Sequence, residues 1–425
     1  MGIPGRLAGA FRRSFGRLGP GLITGAADDD PGGIATHAQA GAQFGLNMLW
    51  MVFFTYPLMV AIQLVSARIG RVTGRGLAAN LKEVLPGWAV AVLVAMLFVA
   101  NTVNIGADIA AMGASAQLVL GGDDKLFMVA FALVSLGLQL FVPYHRYVHF
   151  LKWLTLALFA YVAVVFTVKI DWLEVAARTV APHLTLNGAV LTMIVAVFGT
   201  TISPYLFFWQ SSEEVEDMEA DHEPNLLHQK ANRAKSELAR IRLDTFAGMA
   251  VANVIAFFII LTAAVTLHDA GVTDIESSAQ AAQALRPIAG PMASLMFSLG
   301  IIGTGLLAAP VLAGSVAYAV ADIFGWRQGL EHQPWDAPGF YAVITAAMLV
   351  ALAVIYSPLD PIKALFWSAV VNGVISVPIM AAMLVVAARH KQMGTFVANS
   401  GERLFGWAAT VIMGVAVVAM IIALI

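Results

Sequence analysis

The sequence predicts an all-α polytopic membrane protein built from two inverted repeats of five helices each. Of its 425 residues, 60% are hydrophobic and only 12% are charged, which is too little charge for the surface of a soluble domain. The charged residues separate about eleven apolar segments of membrane-spanning length. Helix-breaking sequences interrupt the first and the sixth segment, and an odd number of helices per half makes the second half inverted.

The predicted spans follow one another in a single transmembrane domain over residues 1–425. Most have the length that crosses about 30 Å of hydrocarbon, and the longest are expected to tilt. They lie near 20–42, 47–67, 88–118, 126–144, 150–169, 187–210, 245–268, 290–323, 339–357, 364–388 and 404–424. The predicted parts of the domain are a cytoplasmic tail (1–19), a first repeat (20–170), a second repeat (186–390) and an extra C-terminal helix (404–425).

Lysine and arginine predict the orientation of these spans. On one side of the predicted topology fall 19 of the 24 basic residues, and the alternation holds through every loop. The other side carries only Lys125, Lys169, Arg178, Arg286 and Lys363. Because cytoplasmic loops are enriched in basic residues, we expect a multi-pass protein of the plasma or inner cell membrane, with the N-terminus inside and the C-terminus outside.

Three consecutive carboxylates, Asp28, Asp29 and Asp30, lie in the middle of the first apolar segment, directly before Pro31-Gly32-Gly33. Each ionised group near the bilayer centre costs roughly 2.5–3.5 kcal/mol on insertion scales. A run of this kind therefore indicates a bound cation. The sixth segment has a comparable interruption from Gly199 to Tyr205, and unwound stretches at this depth are tolerated where they line a cavity and coordinate ions.

The motifs at these interruptions resemble those of the natural resistance-associated macrophage protein (NRAMP) family of divalent-metal transporters. The resemblance is strong in the first two helices and covers about ten helices. It implies a LeuT-like fold with helices 1 and 6 unwound and eleven or twelve spans. The matching stretches are Gly19-Pro20-Gly21, Asp30-Pro31-Gly32, Ala40 to Gly45, Gln63, Ala67 to Gly74, Ala107 to Ala110 and Gly199 to Pro204.

The resemblance also implies a metal site. Family members hold the ion with the Asp and Asn of a first-helix DPGN motif, the Met of a sixth-helix MPH motif, and two backbone carbonyls. Carried over by position, Asp30 is the aspartate, and Ala27 and Thr200 supply the carbonyls. Gly33 replaces the asparagine and Ser203 replaces the methionine, so half of the side-chain site has changed.

These replacements favour a harder ion. A thioether is a soft ligand, and exchanging it for a hydroxyl leaves an all-oxygen site suited to Mg²⁺, Mn²⁺ or Ca²⁺. Gly33 and Ser203 are also smaller than the residues they replace, and Mg²⁺ needs room because it usually keeps several waters. The chain thus resembles the divergent branch of NRAMP-related magnesium transporters.

Asp30 is expected to contact the ion most directly. Successive helical side chains point about 100° apart, so the three carboxylates cannot all be direct ligands. Asp28 and Asp29 either hold water molecules on the ion or simply line a wet vestibule. For Ser203 two interpretations stay open, a ligand or a hydroxyl bonded back to a carbonyl of its own helix.

Proton coupling depends on groups that are partly missing here. In the family, the histidine of the MPH motif and an acidic pair in the third helix have been tied to proton movement. Tyr205 stands at the histidine position and Ala111 at one acidic position, while Asp108 remains. Asn104 and Asp108 lie one turn apart and are expected to face the cavity. We therefore expect a uniporter-like importer of Mg²⁺, and also of Mn²⁺, that works by alternating access without strong proton coupling. The alternative is a proton-coupled Mn²⁺/Fe²⁺ transporter of the NRAMP type.

Two further groups are weaker candidates. Asn372, in the tenth span before Pro378, is a possible cavity-lining residue. The acidic run from Glu213 to Glu219 follows the sixth span on the predicted inner side. It either draws cations through the inner vestibule or is a solvated face.

Other function classes fit the sequence less well. An intramembrane aspartyl protease needs two facing membrane aspartates, for which Asp30 and Asp108 would have to serve, but its flanking motifs are missing. A zinc protease is excluded because no H-E-x-x-H motif occurs. An amino-acid or organic-solute symporter would hold a substrate carboxylate at this break, which the acidic run would repel. We therefore expect no enzyme activity, no cofactor and no nucleic acid; the expected partners are the transported divalent ion and the lipid bilayer, and the sequence names no protein partner.

Overall fold

The helices of a computed structural model follow the predicted spans. The structure describes residues 20–143, 146, 155–220, 226, 231–355 and 360–424. The predicted tail over 1–19 and the first part of the predicted span over 150–169 lie outside the described residues. The rest of that span contains a short helix, Phe159–Val164, preceded by a 3₁₀ turn.

Thirteen helices of nine or more residues make up most of the described chain. In chain order they are α1 (Pro20–Asp28), α2 (Pro31–Phe44), α3 (Leu49–Thr73), α4 (Gly87–Leu120), α5 (Asp124–Phe141), α6 (Trp172–Val180), α7 (Gly188–Thr201), α8 (Pro204–Ala220), α9 (Ala231–Ala263), α10 (Ala293–Phe324), α11 (Pro338–Ile355), α12 (Pro361–Ala388) and α13 (Ser400–Leu424). Within the described ranges, eight helical stretches are long and apolar enough to cross a membrane, and α2 with α3 counts as one of them.

Both predicted interruptions occur, and both are short. The first covers Asp29 and Asp30, where Asp30 has an extended backbone (φ −69°, ψ 170°) and caps α2 by accepting the Gly33 N–H. Pro31 is the first residue of α2, where its missing N–H costs nothing. The second covers only Ile202 and Ser203, between α7 and α8. Each break in the helix is therefore only two residues long.

One predicted boundary is wrong by several turns. The seventh span was expected to begin near residue 245, but α9 begins at Ala231. Its early turns are polar, so hydropathy alone places them in a loop. They are helical because Glu237 and Arg240 form ion pairs with residues of α3 and α8.

Small residues allow the helices around the breaks to approach closely. A Cβ built on Gly199 of α7 would overlap the Ala369 carbonyl oxygen of α12 and lie 2.5 Å from the Gly373 nitrogen. Gly41 of α2 lies just as close to the Ile260 carbonyl of α9. Close backbone approach of this kind is the usual basis of helix packing in membranes. It holds α2 and α7, one of the two helices that border each break, against fixed neighbours.

The basic residues gather at one end of the helix bundle, here called the basic end. Its contacts include Arg68 with Glu402 (2.5 Å), Arg71 with Glu237 (3.0 Å) and Lys82 Nζ with the Ile323 carbonyl (2.8 Å). At the opposite end, a cavity of about 390 Å³ is lined by residues that include Asn47, Lys169, Arg178 and His268. The alternation found in the sequence therefore corresponds to two separate ends, while the side that faces the cytoplasm stays a prediction.

The close approach at Gly199 makes a direct test of this packing. Gly199→Ala should destabilise the protein by about 3 kcal/mol or more, because the added carbon meets backbone atoms that cannot swing away. Gly137→Ala on α5 is the matched control, since a Cβ there has nothing within 4 Å. Thermal unfolding of both variants in detergent measures the difference; equal melting temperatures would contradict the packing of α7 on α12.

Candidate metal site

Asp30 lies at the centre of the site and is almost fully buried, with 3% of its surface exposed. Its Oδ1 accepts the Gly33 N–H at 2.6 Å. Its Oδ2 accepts from Asn104 Nδ2 of α4 at 3.1 Å and from the Tyr205 hydroxyl of α8 at 3.3 Å. Three helices therefore hold one carboxylate, as expected for a buried charge whose desolvation must be offset by donors.

Three oxygens surround the space that a side chain at position 33 would fill. A Cβ built on Gly33 would lie 3.0 Å from the Asp28 carbonyl oxygen, 3.2 Å from Thr200 Oγ1 and 3.4 Å from Asp30 Oδ1. Because these distances are at or below ordinary van der Waals contact, only glycine lets the three oxygens lie this close together beside the Asp30 carboxylate. A carboxylate, a carbonyl and a hydroxyl form a hard, oxygen-only donor set.

The predicted carbonyl and hydroxyl ligands lie at this place but have other partners. The Ala27 carbonyl accepts from the Tyr205 hydroxyl at 3.2 Å. Ser203 Oγ bonds back to the carbonyls of Gly199 (2.7 Å) and Thr200 (2.8 Å). Ser203 thus adopts the second of its two predicted arrangements in this conformation, and the hydroxyl of Thr200 faces the space beside Gly33 instead.

The other acidic residues of the site are buried as well. Asp28, Asp29 and Asp108 are 7%, 5% and 0% exposed. Asp28 Oδ1 has no hydrogen-bond partner in the described part of the chain. Nor do three histidine, aspartate or glutamate side chains come together there as a potential metal cluster. An ion beside Asp30 would therefore rely on backbone, hydroxyl and water oxygens for the remainder of its ligands.

A polar stripe on α12 completes the site and was only partly predicted. Ser368 donates to Asn104 Oδ1 at 2.6 Å, and Ser376 donates to the Ile202 carbonyl at 2.8 Å. Asn372 lies between them, 3% exposed, and its Oδ1 has no hydrogen-bond partner within the described ranges. The three residues follow each other at intervals of four, so they share one helix face. That spacing was visible in the sequence and would have identified both serines.

The arrangement connects the two breaks through hydrogen bonds. Tyr205 at the start of α8 reaches Asp30 and the end of α1, while Ser376 and Ser368 extend from α12 to the sixth-span break and to Asn104. All of the acceptors in these hydrogen bonds are oxygens. Such a site can strip part of the water from a cation and hold it, and no nucleophile with an activating base lies among the residues described at this place.

Comparison with known proteins points to one family. The family model described as natural resistance-associated macrophage protein-like matches residues 21–423. The divalent metal cation transporter MntH of Deinococcus radiodurans is 28% identical over 412 residues, which cover 95% of this chain and 88% of that protein. The MntH transporter of a Klebsiella pneumoniae strain is 27% identical over 93% of this chain and 91% of its own length.

Solved structures show the same architecture. A manganese transporter of Eremococcus coleocola, in complex with an aromatic bis-isothiourea compound, superposes with a TM-score of 0.73 at 15% identity, over 96% of this chain and 85% of that chain. Mhp1, a nucleobase-cation-symport-1 family transporter, superposes with a TM-score of 0.58 at 13% identity, over 96% and 93%. This likeness confirms the predicted all-α LeuT-like fold.

The position of Asp30 predicts a charge-specific effect. Asp30→Asn should lower cation flux into proteoliposomes by roughly a hundredfold or more, because the central charged ligand is lost. Its stability should change by no more than about 1 kcal/mol, since asparagine caps a helix as well as aspartate does.

Asp360→Asn is the matched control for this variant. Asp360 also precedes a proline and caps a helix, α12, by accepting from the N–H groups of Ile362 and Lys363. We expect it to keep the flux of the unmodified protein. Full activity of Asp30→Asn, or equal losses in both variants, would remove Asp30 from the ion site.

Proposed function

The chain belongs to the natural resistance-associated macrophage protein family, and on that premise we propose that it imports a hard divalent cation, Mg²⁺ and also Mn²⁺, by alternating access. Membership places it among transporters of divalent metals rather than among enzymes. The proposed ion position is the space beside Gly33. Asp30 supplies the charge, while the Asp28 carbonyl and the Thr200 hydroxyl supply neutral oxygens.

The oxygen-only surroundings of Gly33 are the observation that carries the choice of ion. A side chain there would crowd the three surrounding oxygens, and glycine lets them lie close together beside Asp30. Mg²⁺ holds its waters tightly and is usually bound through one or two carboxylates, whereas soft metals gain from sulfur ligands. A site with one direct carboxylate, neutral oxygens and no sulfur therefore favours a hard ion.

Weak proton coupling is the second part of the proposal. Tyr205, in place of the family's histidine, donates its hydroxyl to Ala27 and Asp30, where it acts as a fixed donor. A phenol with an ordinary pKa near 10 is a poor proton relay at neutral pH. The membrane potential alone contributes about 2.3 kcal/mol per charge per 100 mV, which favours entry of a doubly charged ion.

A proton-coupled Mn²⁺ carrier is the second candidate function, and Asp108 is the observation that favours it. This carboxylate is completely buried and lies close to Asp30 and to the Gly32 N–H. A buried acid in this position would be able to bind a proton when the ion leaves. Mn²⁺ is also named as the substrate of the Eremococcus transporter.

The orientation follows the same proposal. The basic end, with Arg68, Arg71 and Lys82, would face the cytoplasm, as the enrichment of basic residues in cytoplasmic loops requires. The N-terminus would then lie inside and the C-terminus outside. A protein of the plasma or inner cell membrane with this orientation would take the ion up at the end that carries Asn47 and His268.

Flux measurements separate the two candidate functions. Purified protein in liposomes should admit Mg²⁺ and Mn²⁺ down their gradients, with uptake accelerated by an inside-negative potential because the ion is doubly charged. An internal pH dye should record no acidification that follows the ion. Mn²⁺ uptake together with acidification, and without Mg²⁺ movement, would overturn the proposal in favour of the proton-coupled carrier.

Positions 33 and 203 provide a second test. The double variant Gly33→Asn, Ser203→Met restores the family's ligand types and should lower the ratio of Mg²⁺ to Mn²⁺ flux about tenfold, because it adds a soft ligand. The Mn²⁺ flux of the double variant is the internal control, because it shows whether the variant still transports. Equal losses for both ions would mean that these positions do not select the ion.

A further inference from the structure

A second cavity, of about 420 Å³, lies at the basic end of the molecule. Its walls come from α8, from α10 and from the loop over 326–332 that follows α10. Helix α8 begins at the sixth-span break with Pro204, and it reaches Glu216 after twelve residues, or about 18 Å. The cavity therefore lies on the same helix as the proposed ion site, but well away from it.

The acidic residues of α8 divide between two faces of the helix. Glu214 and Asp217 form ion pairs with Arg240 at 2.9 and 3.3 Å, and Arg71 pairs with Asp217 at 3.3 Å. Glu216 and Glu219 lie on the face that lines the cavity. No basic side chain of the described residues forms an ion pair with either of them. One face of the acidic run is thus neutralised by arginine, and the other carries its charge into the cavity.

Glu216 is held in a fixed orientation. Its Oε1 accepts from the Tyr318 hydroxyl of α10 and from the Leu330 N–H at 3.1 Å. Gly329 makes this contact possible, because its φ of +133° brings the loop so close that a Cβ there would lie 2.9 Å from Glu216 Oε1. With Oε1 engaged by two donors, Oε2 is the oxygen available to a ligand in the cavity.

Two further oxygens that line the cavity have no protein partner. Ser212, one turn before Glu216 on α8, is 2% exposed, and its Oγ has no hydrogen-bond partner in the described chain. Gln328 donates through Nε2 to Asp322, while its Oε1 is buried and has no partner among the described residues either. Buried polar atoms are normally hydrogen-bonded, so these atoms indicate that the cavity holds a polar ligand.

We infer that this cavity is a second binding site for a hydrated divalent cation, in addition to the site at Asp30. Glu216 and Glu219 supply the charge, and Ser212 and Gln328 accept hydrogen bonds from the water molecules on the ion. Arg327 lines the cavity from its exposed edge and His332 lines it as well, so two carboxylates face one guanidinium and one imidazole. Because no three acidic or histidine side chains of the described residues can ligate a metal together, the ion keeps its waters here, as Mg²⁺ readily does.

The role of this site rests on the proposed function. If the basic end faces the cytoplasm, the cavity lies on the release side of the protein. A bound ion would connect α8 to α10 and to the 326–332 loop, through water-mediated contacts. An ion released from Asp30 would then occupy the cavity before it leaves.

Binding of Mn²⁺, followed by the paramagnetic resonance signal of the free ion, tests this site without any transport. The full-length protein in detergent carries Asp30→Asn, so that the Asp30 site no longer contributes. We expect one bound Mn²⁺ per chain, displaced by Mg²⁺. Adding Glu216→Gln should weaken binding roughly ten- to a hundredfold, the usual cost of losing a contact to a metal's surrounding groups. The glutamine still accepts from Tyr318 and Leu330, so the fold should persist.

Two further variants make the result decisive. Glu219→Gln, at an exposed position, should weaken binding in the same way without a folding defect. Asp217→Asn, on the opposite face of the same helix, is the matched control and should leave Mn²⁺ binding unchanged. The inference is overturned if the Asp30→Asn protein binds no Mn²⁺, or if Asp217→Asn weakens binding as much as Glu216→Gln. If the unmodified protein transports no divalent cation in liposomes while the cavity still binds Mn²⁺, that result counts against the proposed function alone.

Discussion

The structure depends on the burial of the Asp30 carboxylate at a break in the first membrane helix. A charge at this depth is tolerated only where donors are aimed at it or a cation shares the site. Gly33 N–H, Asn104 and Tyr205 supply the donors, from α2, α4 and α8. The packing of these three helices is therefore tied to one side chain, and the second break in the chain is needed to bring Tyr205 to it.

The glycines serve this arrangement in two different ways. Gly199 and Gly41 allow backbones to meet, which holds the helices that flank the breaks. Gly33 contributes the absence of a side chain, because three oxygens face the space it leaves. The same residue type thus supports the scaffold in one place and the chemistry in another, and only the surroundings of each glycine tell the two roles apart.

Acidic residues show a similar division along α8. Glu214 and Asp217 take part in ion pairs that join α3, α8 and α9 at the basic end. Glu216 and Glu219, one helix face away, line a cavity together with unpaired oxygens. In the sequence this stretch is a single run of charges. Its separation into a structural and a ligand-binding half follows from which helix packs against which face.

The sequence by itself determined the spans, the two breaks, the family and the place of Asp30 at the first break. These properties depend on local composition, since hydropathy sets the spans and Asp-Pro-Gly cannot continue a helix. It predicted neither the polar start of α9, which is helical because of ion pairs, nor the serines of α12 at the site. Only the tertiary structure decided that the Ser203 hydroxyl turns back to its own helix while Thr200 and the Asp28 carbonyl face Gly33. Such choices depend on distances between residues far apart in the chain, and a linear pattern does not contain them.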